Sequence, residues 1–229
     1  MVKNNVRSFL LLILLAALPA AGLAQDANTL LSGVAKAMGA ENLKTLHYSG
    51  SGSSYAVGQS LPSEGAWPHR IMKSYVRDLN LDTAASRVQI VRTEGTPPAE
   101  QTHTQTIDPN SPWATQFDYW LTPYGFIKGA MANNATVEAK TVFGTPFRVV
   151  TFMIQGKYKV VGYINGKDMI EKVETTIDKP GEMSVEAHYH DYTDFGGFKF
   201  PTTIIQKHAG SVSLIVIVKD VKPNAAVKI

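Results

Sequence analysis

The fold is decided by residues 184–201, whose sequence is S-V-E-A-H-Y-H-D-Y-T-D-F-G-G-F-K-F-P. Alternate positions carry different kinds of side chain: Val185, Ala187, Tyr189 and Asp191 on one side, and Glu186, His188 and His190 on the other. Because successive side chains of a β-strand point to opposite faces, this alternation predicts a strand with one covered and one solvent-facing side. The D-F-G-G segment that follows predicts a turn, and the apolar residues from Phe198 onward begin an antiparallel partner strand.

The two histidines of this strand have a second interpretation. His188 and His190 fall on the same face, which is the spacing of an H-x-H metal pair. A third ligand would have to come from an acid or from another histidine, and no pattern in the sequence marks one. A solvated strand face, shared with Glu186, explains the same residues. We therefore predict no metal ligand, no catalytic residue and no cofactor, and the metal site stays open as the alternative.

Further strands and two helices are predicted around this hairpin. The predicted strands cover residues 45–57, 69–81, 86–94, 147–154, 157–164, 168–177, 183–193, 198–207 and 212–221. Asn165-Gly166 is a strong signal for a tight hairpin turn. One helix is predicted over residues 28–39, where Gly39 supplies the left-handed cap, and a second begins after its N-cap at Thr122.

These elements predict an α+β fold: a single strongly curved antiparallel β-sheet, or half-barrel, with about two helices on its concave side. Residues 95–116 are polar and contain four prolines. This composition predicts a flexible Pro-rich loop that interrupts the run of strands.

The N-terminal residues predict export. Lys3 and Arg7 precede an apolar run over residues 9–18 and a small-residue cleavage site at residues 22–24. We expect residues 1–24 to be a signal peptide and residues 25–229 a single curved-sheet domain. The apolar run is too short to span a bilayer. The mature protein is therefore expected in the periplasm or secreted, without a membrane span.

The composition excludes several classes of protein. The chain has 22 basic residues, 19 acidic residues and no cysteine. Cleavage would remove two of the basic residues and leave a scattered, nearly neutral set, so no nucleic-acid partner is expected. Without cysteine there is no disulfide, no thiolate metal site and no thiol nucleophile.

Aromatic residues are concentrated in the first part of the chain. Most of them fit ordinary core packing, but they also fit an apolar cavity between the sheet and the second helix. Curved sheets are natural containers for lipid-like ligands. The candidate ligand pocket predicted from the sequence consists of Trp67, Tyr75, Trp120 and Phe126.

Four longer stretches carry a resemblance to a known family: A-K-A-M-G-A-E-N-L-K-T-L-H-Y-S-G-S-G (35–52), W-L-T-P-Y-G-F-I-K-G-A-M-A-N-N-A-T (120–136), G-K-Y-K-V-V-G-Y-I-N-G-K-D-M-I-E-K-V-E-T (156–175) and D-Y-T-D-F-G-G-F-K-F-P-T (191–202). They resemble the non-catalytic N-terminal domain of secreted metallo-β-lactamase-fold hydrolases. In that family an H-x-H-x-D-H motif in a later domain holds the metal. The motif is absent here, since the segment from His188 to Asp191 lacks the spacer and the last histidine. The resemblance therefore implies no metal ligand in this chain.

The predicted architecture is also similar to LolA-like periplasmic lipoprotein carriers, whose half-barrel with a helical lid holds acyl chains. We expect an exported, non-catalytic binding or accessory domain that holds an apolar, lipid-like ligand or a separately encoded hydrolase domain. The alternatives are a subunit or minimal form of a metallo-β-lactamase-fold hydrolase, and a degenerate remnant without activity.

Overall fold

The computed structural model describes residues 19–59, 67–179 and 181–229. Three helices are present: α1 (Pro19–Ala37), α2 (Trp113–Trp120) and α3 (Pro123–Ala132). The strands are β1 (Thr45–Tyr55), β2 (His69–Asn80), β3 (Ala85–Glu94), β4 (Ala99–Ile107), β5 (Thr136–Val142), β6 (Thr145–Ile154), β7 (Tyr158–Ile164), β8 (Ile170–Lys179), β9 (Gly181–Asp194), β10 (Lys199–His208) and β11 (Ser211–Pro223). The predicted signal peptide falls mostly on residues 1–18, which lie outside the described residues.

The strands form one antiparallel sheet, as the alternating pattern predicts. Their order is β4-β3-β2-β1-β11-β10-β9-β8-β7-β6-β5. The first strand pairs with the last, so the two ends of the strand sequence meet in the middle of the sheet. Strands β4 and β5 form its two edges. No pairing joins these edges in the described residues, so the barrel is open.

The sheet is strongly curved, and the position of α2 demonstrates it. This helix contacts both β4 and β8, which stand seven places apart in the strand order. On a flat sheet they would be about 33 Å apart, whereas a helix of eight residues is about 12 Å long. The sheet therefore wraps around the helices, and we call the face toward the helices the inner face.

Two glycines of β1 permit a close approach of β11. A Cβ atom added at Gly50 would lie 2.0 Å from the backbone oxygen of Ile217, and one added at Gly52 would lie 1.9 Å from that of Ile215. Neither distance is possible for a larger residue, so only glycine allows β1 and β11 to approach in this way.

Helix α1 packs by the apolar face that the sequence predicts. Leu31, Val34, Ala35 and Met38 are all buried. The helix ends before Gly39, whose φ of 71° is the left-handed conformation expected of a cap. A Cβ at Gly39 would also lie 2.0 Å from the backbone oxygen of Gly197, so the glycine brings the end of α1 against the β9–β10 turn.

Helix α3 likewise confirms its predicted start. The side chain of Thr122 accepts a hydrogen bond from the backbone nitrogen of Gly125 at 3.1 Å, and Pro123 follows as the first helical residue. The ring of Phe126 packs over Gly162 of β7, where an added Cβ would lie 2.2 Å from the ring. The missing side chain at Gly162 thus makes room for the helix.

The prediction of one Pro-rich loop over residues 95–116 is wrong in its secondary structure. Residues 99–107 form β4, which pairs with β3 from Ser86↔Ile107 to Glu94↔Ala99. This edge strand is held by backbone hydrogen bonds and is exposed along most of its length. Its side chains are polar on both faces, so they carry no apolar alternation.

Helix α2 also begins within this segment, and it is the helix that the sequence pattern does not predict. Its N-cap, Pro112, makes no side-chain capping hydrogen bond. Aromatic residues, which are only moderate helix formers, make up half of its sequence. Burial of Trp113, Phe117, Tyr119 and Trp120 stabilises the helix instead.

Candidate ligand-binding groove

A groove of about 420 Å³ lies between α2 and the inner face of the sheet. Strands β1, β2, β3, β10 and β11 and the segment after β1 contribute to its walls. Its lining includes the apolar and aromatic residues Tyr75, Val88, Ile90, Phe117 and Leu214 and the polar residue Gln206. The volume falls in the range of small-molecule sites, and the walls combine apolar and polar groups.

Beneath the groove, a buried ion pair ties α2 to the sheet. Arg77 of β2 has a side chain only 2% exposed, and its Nη1 lies 2.8 Å from Oδ2 of Asp118 on α2. Nη2 of Arg77 donates to the backbone oxygen of Asp118 at 3.1 Å and to Oγ of Ser86 at 3.2 Å. On the other side, Nε2 of Gln206 in β10 donates to Oδ1 of Asp118 at 2.6 Å. Asp118 therefore connects the helix with strands on both sides of the groove.

The groups around Arg77 favour its charged form. Burial alone would lower the pKa of Arg77, but the carboxylate of Asp118 and the nearby hydroxyl of Tyr75 raise it above its ordinary value. A buried charge needs such a partner, because desolvation of an isolated ion is very costly. Asp118 therefore supplies the counter-charge that allows the Arg77 guanidinium to be buried.

Tyrosines surround this ion pair. Burial raises the pKa of Tyr48, Tyr75 and Tyr189, so these phenols stay neutral at physiological pH. The rings of Tyr48 and Tyr75 lie 6.0 Å apart between their centroids. The hydroxyl of Tyr189 is buried without a hydrogen-bond partner in the part of the chain that the structure describes. The interior beneath the groove therefore contains aromatic rings and neutral hydroxyl groups that can form hydrogen bonds.

A second attachment holds the start of α2. Nε1 of Trp113 donates to the backbone oxygen of Thr176 in β8 at 2.7 Å. The indole also stacks on Tyr158 of β7, with centroids 4.2 Å apart and planes 4° from parallel. The helix that covers the groove is therefore anchored at its first residue and again at Asp118.

The four residues predicted as a ligand pocket lie in three places. Tyr75 lines the groove. Trp120 and Phe126 come together in the core around Phe152, with centroid distances of 6.4 and 5.5 Å to its ring. Trp67 lies half-buried just before β2. Contact of any of them with a ligand stays a prediction.

Sequence reasoning missed Arg77, Asp118 and Gln206. A signal was present for one of them. Along β2, Tyr75, Arg77 and Leu79 share the inner face, so the arginine occupies a position where the alternation calls for an apolar side chain. Asp118 had no such signal, because it lies 41 residues away in a helix that the sequence pattern does not show.

The paired histidines lie on the opposite, outer face of the sheet. Val185, Ala187 and Tyr189 are buried as predicted, while Glu186 and His188 are partly exposed and His190 is exposed. Nε2 of His188 lies 3.1 Å from a carboxylate oxygen of Glu186. Asp191 does not continue the buried side, because it is exposed and its φ of 56° interrupts the pairing with β10.

The described residues contain no group of three or more histidine, cysteine or acidic side chains arranged to hold a metal ion. Within the same residues, no helix is long and apolar enough to cross a membrane.

Comparison with known proteins supports the architecture. No family model matches the sequence, and no curated protein matches it. Two solved structures share the fold, each with a TM-score of 0.51 and 12% sequence identity. One is a domain assigned as an outer membrane lipoprotein-sorting protein from Vibrio parahaemolyticus, matched over 90% of this chain and 95% of that one. The other is a LolA superfamily protein from Nitrosomonas europaea, matched over 89% and 94%.

The chain therefore has the open antiparallel half-barrel of LolA-like proteins, which confirms that part of the predicted resemblance. The comparisons give no support to the resemblance to the N-terminal domain of metallo-β-lactamase-fold hydrolases. That resemblance, and the hydrolase partner it implies, stay predictions.

Proposed function

We propose that this protein is an exported, periplasmic binding domain that holds an apolar, lipid-like ligand in the groove between α2 and the inner face of the sheet. The observation that carries the proposal is the groove itself, which opens into the concave side of a half-barrel and is lined by Val88, Ile90, Phe117 and Leu214. The likeness in fold to a lipoprotein-sorting domain agrees with this use of the concave side.

Helix α2 supplies one wall of the groove and leaves space for a ligand. Its first turns contribute the small side chain of Ala114, followed by Thr115 and the ring of Phe117. An apolar chain laid between this wall and the sheet would remove Val88, Ile90 and Leu214 from water, and each Å² of apolar surface so covered contributes about 25 cal/mol. The anchors at Trp113 and Asp118 keep the wall in place, so the groove is largely preformed.

The proposal is tested by filling the groove. Ala114→Phe places a ring in the groove at an exposed helical position that tolerates larger residues. The matched control is Ala139→Phe on β5, an exposed alanine far from the groove. Binding of cis-parinaric acid methyl ester, a neutral fluorescent lipid analogue, is measured by fluorescence titration for the wild type and both variants.

We expect the wild type and Ala139→Phe to bind the ester equally, and Ala114→Phe to lose at least about tenfold in affinity because the ring occupies the ligand's space. If the wild type binds neither the ester nor the parent acid, cis-parinaric acid, the proposed function is wrong. Unchanged affinity in Ala114→Phe would place the ligand elsewhere.

A further inference from the structure

A basic cluster stands at the rim of the groove, around a single carboxylate. Nε of Arg70 lies 3.2 Å from Oε1 of Glu94, and Nε of Arg92 forms an ion pair with the same oxygen. Nε2 of His103 lies 3.2 Å from the other oxygen, Oε2. We call Arg70, Arg92, Glu94 and His103 the rim cluster.

Strand register places the rim cluster on the inner face. Arg92 itself lines the groove. Arg70 pairs with Ser54, which in turn pairs with the groove residue Leu214, so the three share one face. His103 pairs with Ile90, another groove residue. The cluster therefore faces the same space as the apolar walls, at the end where β3 finishes.

The rim cluster carries more positive than negative charge. Two guanidinium groups share the one carboxylate of Glu94, and both contacts use Nε. In the part of the chain that the structure describes, Glu94 is the ion-pair partner of both Arg70 and Arg92. The terminal Nη groups of the two arginines form no hydrogen bond there. Arg70 and Arg92 have side chains 33% and 19% exposed, so both are partly accessible to solvent, and Arg92 also lines the groove.

The other charges nearby do not cancel this excess. Asp118, the acid within the groove, is already paired with Arg77 at 2.8 Å. Glu100 forms an ion pair with Lys73, and its register partner Thr93 lies between Arg92 and Glu94, on the opposite face of β3. The groove is thus apolar along its walls and positive at one end.

From this arrangement we infer that the ligand is an anionic amphiphile. Its carboxylate or phosphate head is bound by the Nη groups of Arg70 and Arg92, and its chain lies between α2 and the sheet. Arginine's planar group suits this task, because it binds carboxylate and phosphate oxygens with paired, charge-assisted hydrogen bonds. The inference rests on the proposed function and adds the chemistry of the head group to it.

The test compares two ligands with the same chain, cis-parinaric acid and its neutral methyl ester. A hydrogen bond to a charged group contributes about 1.5–3 kcal/mol, so we expect the wild type to bind the acid about ten- to hundredfold more tightly than the ester. Arg70→Gln/Arg92→Gln should lose this preference and bind the acid and the ester with similar affinity. Binding of the ester also demonstrates that the variant is folded.

Two control variants separate head-group binding from general charge. Lys73→Gln removes one positive charge from the same strand but not from the groove, and it should keep the preference for the acid. Arg70→Lys/Arg92→Lys keeps both charges and should retain part of it. If Arg70→Gln/Arg92→Gln still prefers the acid as the wild type does, the rim cluster does not bind the head group.

Further competition experiments identify which anionic head groups bind, and they separate binding of the head group from binding of the apolar chain. A monoacyl phosphate lipid that competes as well as the acid indicates that the site accepts either head group. Inorganic phosphate should not displace the acid. If inorganic phosphate displaces the acid as well as the phosphate lipid does, the cluster is a site for free anions and the inference is wrong. Equal affinity of the wild type for acid and ester would overturn it as well, while leaving the groove as an apolar site. Absence of binding to both would instead refute the proposed function.

Discussion

Removal of the Arg77 side chain is the perturbation that best tests how α2 is held against the sheet. Arg77→Met deletes a cation that is 2% exposed and leaves the carboxylate of Asp118 with Gln206 as its remaining side-chain partner. Breaking a buried ion pair by removing one partner typically costs about 3–5 kcal/mol. Because Asp118 is 18% exposed and gains some solvation from the groove, we expect a loss near the lower end, about 3 kcal/mol.

The matched control is Arg148→Met. Its ion pair with Asp168 has nearly the same length, 2.7 Å, but the two side chains are 36% and 40% exposed. Exposed pairs contribute at most about 1 kcal/mol. The double variant Arg77→Met/Asp118→Leu should recover at least half of the loss seen in Arg77→Met, because it leaves no unpaired buried charge.

The assay is urea unfolding followed by tryptophan fluorescence, which reports directly on α2 because Trp113 and Trp120 are its first and last residues. The free energy of unfolding is compared at a constant slope with denaturant. A free energy of unfolding for Arg77→Met within about 1 kcal/mol of the wild-type value would show that the buried ion pair does not hold α2 in this way. A double variant less stable than both single variants would show the same.

Three further predictions concern packing, capping and pH. Gly162→Val should lower the free energy of unfolding in urea by about 3 kcal/mol, because the valine side chain would overlap the Phe126 ring. The control is Gly166→Ala, whose added methyl group would meet open space. Equal losses in the two variants would argue against the overlap. Thr122→Ala should cost about 1 kcal/mol through loss of the N-cap of α3, and Thr122→Ser should restore most of it. Burial lowers the pKa of His188, against the opposing effect of Glu186, so the folded state binds fewer protons than the unfolded state. Stability should therefore fall as the pH drops below about 6.5, and less so in His188→Gln; an identical pH profile in that variant would exclude His188 as a cause.

The sheet was predictable where one face of a strand is covered. In β9 the alternation of Val185, Ala187 and Tyr189 with polar residues gives both the strand and its buried side, and the glycines that follow give the turn. The edge strand β4 was not predictable in this way, because neither of its faces is apolar and backbone pairing with β3 leaves no mark in side-chain chemistry.

The site was less predictable than the fold, because its groups come from distant parts of the chain. Tyr75 could be proposed from aromatic content alone. The pair of Arg77 and Asp118 depends on the placement of α2, and the rim cluster depends on the registers of β2, β3 and β4. Local patterns report periodicity and capping, whereas these contacts follow from tertiary arrangement.

The proposed ligand site lies on the inner face of the half-barrel, beneath α2. Paramagnetic broadening of methyl NMR signals by a nitroxide-labelled fatty acid tests it most directly, because isoleucines lie on both faces of the sheet. We expect selective broadening at Val88, Ile90 and Leu214, which line the groove. Little change is expected at Ile71 and Ile217, which are 65% and 43% exposed on the outer face. Broadening at Ile71 and Ile217, or equal effects on both faces, would contradict it.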